Sequence, residues 1–563
     1  MSQAPIKRKA APTHEDGSKK IKHVGLIELV ADSRREQKAI RSERKAHDRS
    51  YEMISEAKKV WEVLRRGDIK REEQKQLMEK IMNIITGKVQ DVIFKHDASR
   101  MIQTCLKKGN GEQRNQIAEE LKGRYEELSK SMYGKFIVMK TLEYCHWQRD
   151  HILSEFRTHV RKLIRHKEAS TVIESFYAQY SNSAQRQELI AEFYGPEMTL
   201  FNRGGGAKTL EDLLEALPEK KDSILRFMSE TLKGCMDKGT IVHSIVHKAL
   251  YQYLSLADEK GREPITGHLR DNLQDIVHTR EGAWVAMLCL SYATPKDRKA
   301  IIKAFKPFLV KIAKDEYGYL VLLRLLDVTD DTVLINKAVL GELSKHAQEL
   351  FADKFGRRFF MYILAGRNTR YLSPETVQLL KAGDEIRTSK KDPEVRSQEL
   401  LKASSPQLIK LVTDNAGVLM REKLSSQVVQ EIMLHAEDKG DKSEAIDAIL
   451  DLAGEGIEVD DHVIEHRFAN RVIKAMIKAD TAEETNDKAV VPLEFAPKLL
   501  ERIQPNLKHF STNFGSFVVV ALAEEPSTKK AVKKSLKSHK KDIEKAAKEN
   551  TGAQKLLDIL EEK

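Results

Sequence analysis

The sequence predicts an all-α protein built as a solenoid of stacked helical repeats. The chain holds only 28 glycines and 14 prolines among 563 residues, which is few turn-forming residues for a strand-rich protein. From Ser50 onward, apolar residues recur three and four positions apart, which is the period of one helix face. A short phrase also recurs along the chain. Recurrence of this kind indicates repeats that stack on one another.

The repeated phrase consists of a polar residue, a small residue, two variable residues and an apolar run. Most occurrences lie 35 to 46 residues apart, and two gaps of 70 and 69 residues leave room for an insertion or a degenerate unit. One such unit cannot bury its apolar stripe alone, so we expect neighbours to stack. We expect a close turn at the small residue, with no room for a large side chain. The small residue of each phrase is Ala98, Gly134, Ala169, Gly239, Gly282, Gly318, Gly356, Ser425, Ala469, Gly515 and Gly552.

The phrases divide the chain into three predicted regions. Residues 1–45 are a basic, disordered tail, because they lack an apolar period. Residues 46–330 form a first repeat array with an insertion near 195–222. Residues 331–563 form a second array with a basic C-terminal end. The long gap after Gly356 is where we expect the stacking direction to change, which would give a bent or L-shaped arrangement.

The tail carries two basic clusters, which predict a nuclear import signal. A solvated basic tail without such a role is the alternative interpretation. The residues of the predicted signal are Lys7, Arg8, Lys9, Lys19, Lys20 and Lys22.

Charge and composition narrow the functional classes. The 96 Lys and Arg residues exceed the 85 Asp and Glu residues, giving a net charge of +11. This excess favours a polyanionic partner, of which nucleic acid is the first choice. The four cysteines are scattered and form no C-x-x-C pair, which argues against disulfides and a cysteine zinc site. No apolar run is long enough to span a membrane, and we expect no secretory signal, cofactor or metal.

Two further motifs do not indicate catalysis. The run FNRGGGAKTL lacks the first glycine of a P-loop, and Ala207 stands before Lys208 where the pattern needs glycine. His243 and His247 have zincin spacing, but Ser244 replaces the required glutamate. We therefore predict a flexible loop and surface or groove histidines. We expect no enzymatic activity and no small-molecule substrate.

The repeated phrases resemble the repeats of the PUF (Pumilio-type) RNA-binding family over about residues 90–563. The stretches HTREGAWVAMLCLSYATPKDRKAIIKAFK and DKFGRRFFMYILAGRNTRYLSP are most similar to the divergent branch called PUF-A or Penguin. Eleven phrases also fit that branch better than the eight repeats of ordinary Pumilio proteins. The resemblance implies a nucleolar protein that acts in biogenesis of the large (60S) ribosomal subunit, with rRNA processing as its setting.

The resemblance also implies which residues face RNA. In PUF repeats the first and fifth residues after the small one hydrogen-bond a base edge, and the second stacks on bases. Only three of the eleven units keep such an edge pair, so we expect low sequence specificity. The three predicted sets are Ser99 and Gln103 with Arg100, Ser170 and Glu174 with Thr171, and Ser426 and Gln430 with Gln427.

The other units offer charge and aromatic rings instead. Phosphate contacts and stacking both give affinity without sequence information. The predicted contacts of this kind are Lys135, Phe136, Arg357, Arg358, Asn470, Arg471 and Lys474. Lys533 and Lys537 in the stripe KKAVKKSLKSHKK are either phosphate contacts or a solvated helix face.

The leading hypothesis is an RNA-binding protein of low sequence specificity in the nucleus and nucleolus. Its expected partners are pre-ribosomal RNA, mRNA under translational repression, duplex DNA bound non-specifically, and ribosome assembly factors or ribosomal proteins. We expect a monomer without membrane contact. The alternative is a scaffold or adaptor similar to HEAT and armadillo proteins, which binds protein without touching RNA.

Overall fold

The computed structural model describes residues 51–196, 198, 209–437, 439–481, 484–485, 488–489 and 493–561. The predicted import signal lies outside these ranges. Residues 197 and 199–208 of the predicted insertion also lie outside them. The structure forms two compact units, one ending at Gln185 and the other beginning at Arg186. The array boundary at 330/331 and the bent arrangement stay predictions. Within the described ranges, no helix has the length and apolarity that a membrane crossing requires.

The first unit is helical throughout its described part. Its α-helices are Tyr51–Leu64, Arg71–Ile85, Val89–Val92, His96–Lys108, Gly111–Leu121, Tyr125–Lys130, Gly134–Tyr144, Arg149–Phe156, Val160–Leu163 and Ala169–Ser175, with a 3₁₀ turn at His146–Gln148 and a π-helical turn at Phe176–Tyr180. Helix Ser183–Ala191 crosses from the first unit into the second.

The second unit continues the same pattern. Its α-helices up to Ala365 are Leu210–Ala216, Lys221–Asp237, Ser244–Leu256, Glu259–Leu269, Arg280–Tyr292, Pro295–Phe305, Leu309–Lys314, Gly318–Val328, Thr332–Ile335, Gly341–Leu343, Ala347–Ala352 and Gly356–Ala365. The later ones are Pro374–Asp384, Pro393–Arg421, Ser425–His435, Lys439–Ala453, Ala469–Ala479, Phe495–Ile503, Leu507–Thr512, Ser516–Glu524, Lys529–Leu536, Lys540–Ala546 and Thr551–Glu561. Two short strands, Glu484–Thr485 and Lys488–Ala489, pair antiparallel.

Eleven helices, one from each repeated phrase, form one row in each of the two units; we call them the row helices. In each unit, every row helix packs against the next one. The first unit contributes His96–Lys108, Gly134–Tyr144 and Ala169–Ser175. The second contributes Ser244–Leu256, Arg280–Tyr292, Gly318–Val328, Gly356–Ala365, Ser425–His435, Ala469–Ala479, Ser516–Glu524 and Thr551–Glu561. The predicted all-α solenoid of PUF-like repeats is confirmed.

Steric crowding explains the small residue at the start of the row helices. A Cβ atom placed on Gly134 would lie 2.8 Å from the carbonyl oxygen of Leu128. One placed on Gly318 would lie 2.7 Å from the carbonyl oxygen of Ile312. Both carbonyls belong to the helix that precedes the row helix, so the two helices meet where only a small residue fits. The predicted close turn is confirmed.

The fourth phrase was placed in the wrong register. Gly239 has a φ of 67° and lies in a turn, and the row helix begins only at Ser244. Ala257 follows this helix, and Ala293 follows helix Arg280–Tyr292. When the two alanines are aligned, Val246 falls at the position of Gly282. A valine in place of a small residue hides this register from a pattern search. The first and second positions after the small residue of this repeat are therefore His247 and Lys248, rather than Thr240 and Ile241.

The prediction of surface or groove histidines is wrong for His247. Its side chain is buried, with Nε2 2.6 Å from the carbonyl oxygen of Ile241 and Nδ1 2.6 Å from the Thr279 hydroxyl. Because a carbonyl only accepts, Nε2 carries the proton and Nδ1 accepts from Thr279. Burial, together with nearby His278, lowers the pKa of His247 to about 3. His247 is a neutral core residue.

Arginines bind the C-terminal carbonyls of several row helices. Arg114 Nε donates to Leu106 O at 2.8 Å, Arg149 Nε to Leu142 O at 2.9 Å, and Arg298 Nε to Leu290 O at 3.0 Å. Each arginine lies in the following helix, so it joins two helices of the solenoid and places a cation at the negative end of a helix dipole. These charges act inside the fold and are not offered to a ligand.

The long gap after Gly356 holds a segment that folds back onto earlier repeats. Buried Arg324 donates from Nη1 to Asp384 at 2.8 Å and from Nε to the Ser291 hydroxyl at 2.9 Å. Arg367 bridges Asp384 to Asp327, with Nη2 at 2.8 Å from Asp327 Oδ2. The row itself continues across the gap, because helix Gly356–Ala365 packs against helix Ser425–His435. The segment braces the solenoid without interrupting it.

Candidate nucleic-acid interface

The three serines predicted to read base edges are buried. Ser99, Ser170 and Ser426 are 1%, 2% and 4% exposed. The Ser99 hydroxyl donates to the Tyr133 carbonyl at 2.9 Å, which joins two neighbouring repeats. The hydroxyls of Ser170 and Ser426 donate to the Lys167 and Lys423 carbonyls at 3.3 and 3.2 Å. In this structure all three serine hydroxyls are engaged by the protein's own backbone.

Other predicted contact residues also form hydrogen bonds within the protein or are partly buried. Gln103 Nε2 donates to the Ser99 hydroxyl at 3.0 Å, and Gln430 Nε2 lies 3.4 Å from Glu431 Oε1. Asn470 is buried and donates to the Ile464 carbonyl at 2.7 Å. Thr171 and Glu174 are half-buried. Asn470 therefore faces the protein interior, where its amide binds the turn before its own helix.

In the first unit the predicted cationic face is partly neutralised. Lys135 Nζ forms an ion pair with Glu168 at 2.7 Å, and it lies 4.9 Å from the centroid of the Phe136 ring. Phe136 is 44% exposed. Arg100 is exposed, with its guanidinium carbon 5.7 Å from the Trp61 ring centroid. Arg100 and Phe136 remain available to a ligand, whereas Lys135 has a carboxylate partner.

The two arginines of the repeat at Gly356 have different surroundings. Arg357 donates from Nη1 to the side-chain oxygen of Gln427 in the next row helix. The guanidinium carbon of Arg358 lies 4.8 Å from the Tyr319 ring centroid and 5.3 Å from that of Phe355. These rings are stacked on each other, 5.7 Å apart. Arg358 is thus held over an aromatic pair at the surface of the row.

A cluster of cationic side chains in the second unit lies between helices Ser425–His435 and Ala469–Ala479. A cavity of about 330 Å³ there is lined by cations on several sides, and we call it the basic groove. Its cations are Arg370, Lys423, Arg471, Lys474 and Lys478. Ser426, Gln427, Gln430 and Phe468 complete most of its lining.

Among the described residues, the basic groove keeps an excess of positive charge. Within the part of the chain that the structure describes, none of the five forms an ion pair with a carboxylate. The buried Glu431 carboxylate nearby accepts a hydrogen bond from the Tyr371 hydroxyl. Burial lowers the pKa of Lys474, and the like charges of Arg471, Lys478 and Lys555 lower it further. Crowded cations of this kind attract anionic groups.

Sequence reasoning found only part of this groove. It found Ser426, Gln427, Gln430, Arg471 and Lys474, because these stand at the family's reader positions or beside them. Lys478 could have been found as well, since it lies one helical turn after Lys474. Arg370 and Lys423 come from segments before the row helices, and no local pattern marks them.

Lys533 and Lys537 lie elsewhere. Lys533 is on helix Lys529–Leu536, and Lys537 follows it in a 3₁₀ turn. That helix packs against row helix Ser516–Glu524 and is not itself a row helix. Their role in phosphate binding stays a prediction.

Fold and groove together define a helical-repeat protein with a cationic face. Comparisons with known proteins identify the family. Residues 98–122 match the model of the Pumilio-family RNA binding repeat, and residues 352–489 match the CPL (NUC119) domain, which contains the whole basic groove. The chain is 36% identical over 94% of its length to Pumilio homology domain family member 6 of Schizosaccharomyces pombe, covering 83% of that protein. The chain therefore belongs to the Pumilio homology family.

Solved structures agree with this assignment. The crystal structure of human Puf-A matches with a TM-score of 0.84 and 34% identity, covering 91% of this chain and all of that one. Human Puf-A in complex with DNA matches with a TM-score of 0.83 and 34% identity, covering 90% of this chain and 99% of that one. The predicted resemblance to the PUF-A branch is confirmed.

Proposed function

We propose that this protein binds RNA with low sequence specificity, and that the basic groove is a principal contact for RNA phosphates. The observation that carries the proposal is that cations and an occupied base-reader residue lie together in the basic groove. Five cations that pair with no carboxylate of the described residues line the groove, and beside them the hydroxyl of the predicted reader Ser426 donates to the backbone. Cations of this kind give affinity, whereas sequence discrimination needs free base-edge contacts.

The relatives support binding to nucleic acid in general. The related human Puf-A was crystallised in complex with DNA, and the first repeat matches a family model described as RNA binding. A site that works through phosphates accepts both kinds of strand, since base edges and the 2′-hydroxyl are not what it reads. Duplex DNA is therefore a further, non-specific ligand in the proposal.

The cellular role belongs to the same proposal. The protein acts in the nucleus and nucleolus on pre-ribosomal RNA during assembly of the large subunit, together with ribosome assembly factors, and represses translation of mRNA as a second role. It works as a monomer and without catalysis. The family resemblance and the basic clusters of the N-terminal tail support this role.

The test is a salt titration of binding by fluorescence anisotropy. The probes are random single-stranded RNA, an RNA hairpin, duplex DNA and a single-stranded RNA that contains UGUA. We expect similar affinities across the probes and a steep linear loss of log affinity with log salt. A strong preference for the UGUA probe would contradict low specificity. Absence of binding to every probe at low salt would overturn the RNA proposal and favour the protein scaffold.

A further inference from the structure

An exposed aromatic side chain lies beyond the basic groove, in the next repeat. Phe514 is 51% exposed, in the turn that leads into row helix Ser516–Glu524. Its ring centroid lies 6.0 Å from that of Phe517, at an interplanar angle of 67°. Lys474 of the groove places its Nζ 5.1 Å from the Phe517 ring centroid. Charge and an open aromatic face therefore follow one another along the row.

The turn that presents Phe514 is held on both sides. Asn513 Oδ1 accepts from the Gly515 amide at 2.8 Å, and Asn513 Nδ2 donates to Glu465 at 2.6 Å. Asn550 Nδ2 donates to the Asn513 carbonyl at 2.6 Å. Three consecutive repeats thus fix the backbone beside the ring. A ring on a fixed backbone loses less conformational freedom on stacking than a ring on a mobile loop does.

We propose that Phe514 is a stacking platform for an unpaired nucleobase, so that this end of the groove binds single-stranded RNA. The inference rests on the proposed function, because the groove must hold the phosphates that lead the strand to Phe514. The rings of Phe514 and Phe517 are inclined and not stacked on each other, and Lys474 lies over Phe517. The exposed surface of Phe514 is therefore open to the base. A base within a duplex is covered by its neighbours and cannot use that face. Base stacking on an aromatic ring tolerates any sequence.

Phe514 does not belong to the reader positions that the resemblance implied. It immediately precedes the small residue Gly515, whereas the predicted stacking position is the second residue after it. In the repeat at Gly515 that second residue is Phe517, which is half-buried. The platform is therefore an addition to the predicted interface.

The test compares Phe514→Ala with wild type on a short single-stranded RNA and on the fully paired duplex of the same sequence. We expect about 5- to 20-fold weaker binding to the single strand and nearly unchanged binding to the duplex. Phe514→Tyr keeps the ring, so it should bind as wild type does. Phe308→Ala is the matched control, since Phe308 is 43% exposed but lies between helices Pro295–Phe305 and Leu309–Lys314, outside the row.

The outcomes separate this inference from the proposed function. Equal loss on single strand and duplex, or no loss on either, would overturn the stacking platform while RNA binding itself stands. Failure of wild type to bind any RNA would overturn the proposed function. A fluorescent base analogue in the single strand supplies a second readout, because stacking on Phe514 should quench it and Phe514→Ala should abolish the quenching.

Discussion

The Ser426 hydroxyl donates to the carbonyl oxygen of Lys423 at 3.2 Å, while the Lys423 side chain lines the basic groove. The two residues are three positions apart in the sequence and have different roles. Ser426, a predicted base reader, secures the turn before its row helix. Lys423, which no pattern singled out, supplies charge. This pair shows how a PUF-like repeat can keep its fold while its contact with RNA changes from base edges to phosphates.

Replacing Ser426 and Lys423 separately tests this division of roles. We expect Ser426→Ala to leave RNA affinity unchanged and to lower the free energy of unfolding by about 1 kcal/mol, because one internal hydrogen bond is lost. We expect Lys423→Gln to weaken binding to every probe alike. Anisotropy titrations and urea unfolding of both variants measure the two quantities. A changed preference among RNA sequences in Ser426→Ala would contradict the structural role of the serine.

The buried arginine network predicts a large effect on stability. Arg324→Ala removes one cation from Asp384, which keeps Arg367, and removes the donor to the Ser291 hydroxyl, so we expect the free energy of unfolding to fall by about 2–3 kcal/mol. Arg502→Ala is the matched control, because the Arg502–Asp451 ion pair is exposed and its loss costs about 0–1 kcal/mol. Urea unfolding compares them. Equal and small losses would show that the segment after Ala365 does not brace the solenoid.

His247 predicts a pH dependence of stability. Its pKa is about 3 in the fold and about 6.5 unfolded, so between these values the unfolded chain binds more protons. Stability therefore rises with pH across this window and falls on acidification. His247 alone accounts for about 2 kcal/mol lost between pH 8 and pH 5.

The variant His247→Gln isolates that contribution. Glutamine does not titrate, so the difference in unfolding free energy between pH 8 and pH 5 should shrink by about 2 kcal/mol relative to wild type. Urea unfolding at the two pH values gives this difference whatever the absolute stability of the variant is. An unchanged pH dependence would mean that His247 accepts its proton in the folded state.

The N-terminal tail predicts nuclear import. Residues 1–45 fused to a fluorescent protein should accumulate in the nucleus, because both basic clusters are present. Replacing Lys7, Arg8 and Lys9 together with Lys19, Lys20 and Lys22 by alanine should return the fusion to an even distribution. A fusion of the unaltered tail that stays evenly distributed would contradict the predicted signal.

Much of the fold could be predicted from the sequence, because helix periodicity and the small residue are local signals. Ten of the eleven row helices begin at the predicted phrase. The register at Gly239 failed because Val246 occupies the small position and a glycine happens to stand upstream. The site was harder to predict. The burial of Ser99 and Asn470 depends on carbonyls in neighbouring turns, and the groove needs Arg370 from a segment far from Arg471 in the chain.

The most direct test of the central claim is the salt dependence of binding to random single-stranded RNA when charge is removed from the groove. Arg471→Gln/Lys474→Gln is compared with Lys299→Gln/Lys303→Gln, which removes two exposed lysines from helix Pro295–Phe305. The groove variant should bind more weakly, with the slope of log affinity against log salt reduced in magnitude by about 1–2. The control should keep the wild-type slope. Equal slopes in wild type and both variants would contradict phosphate binding by the groove.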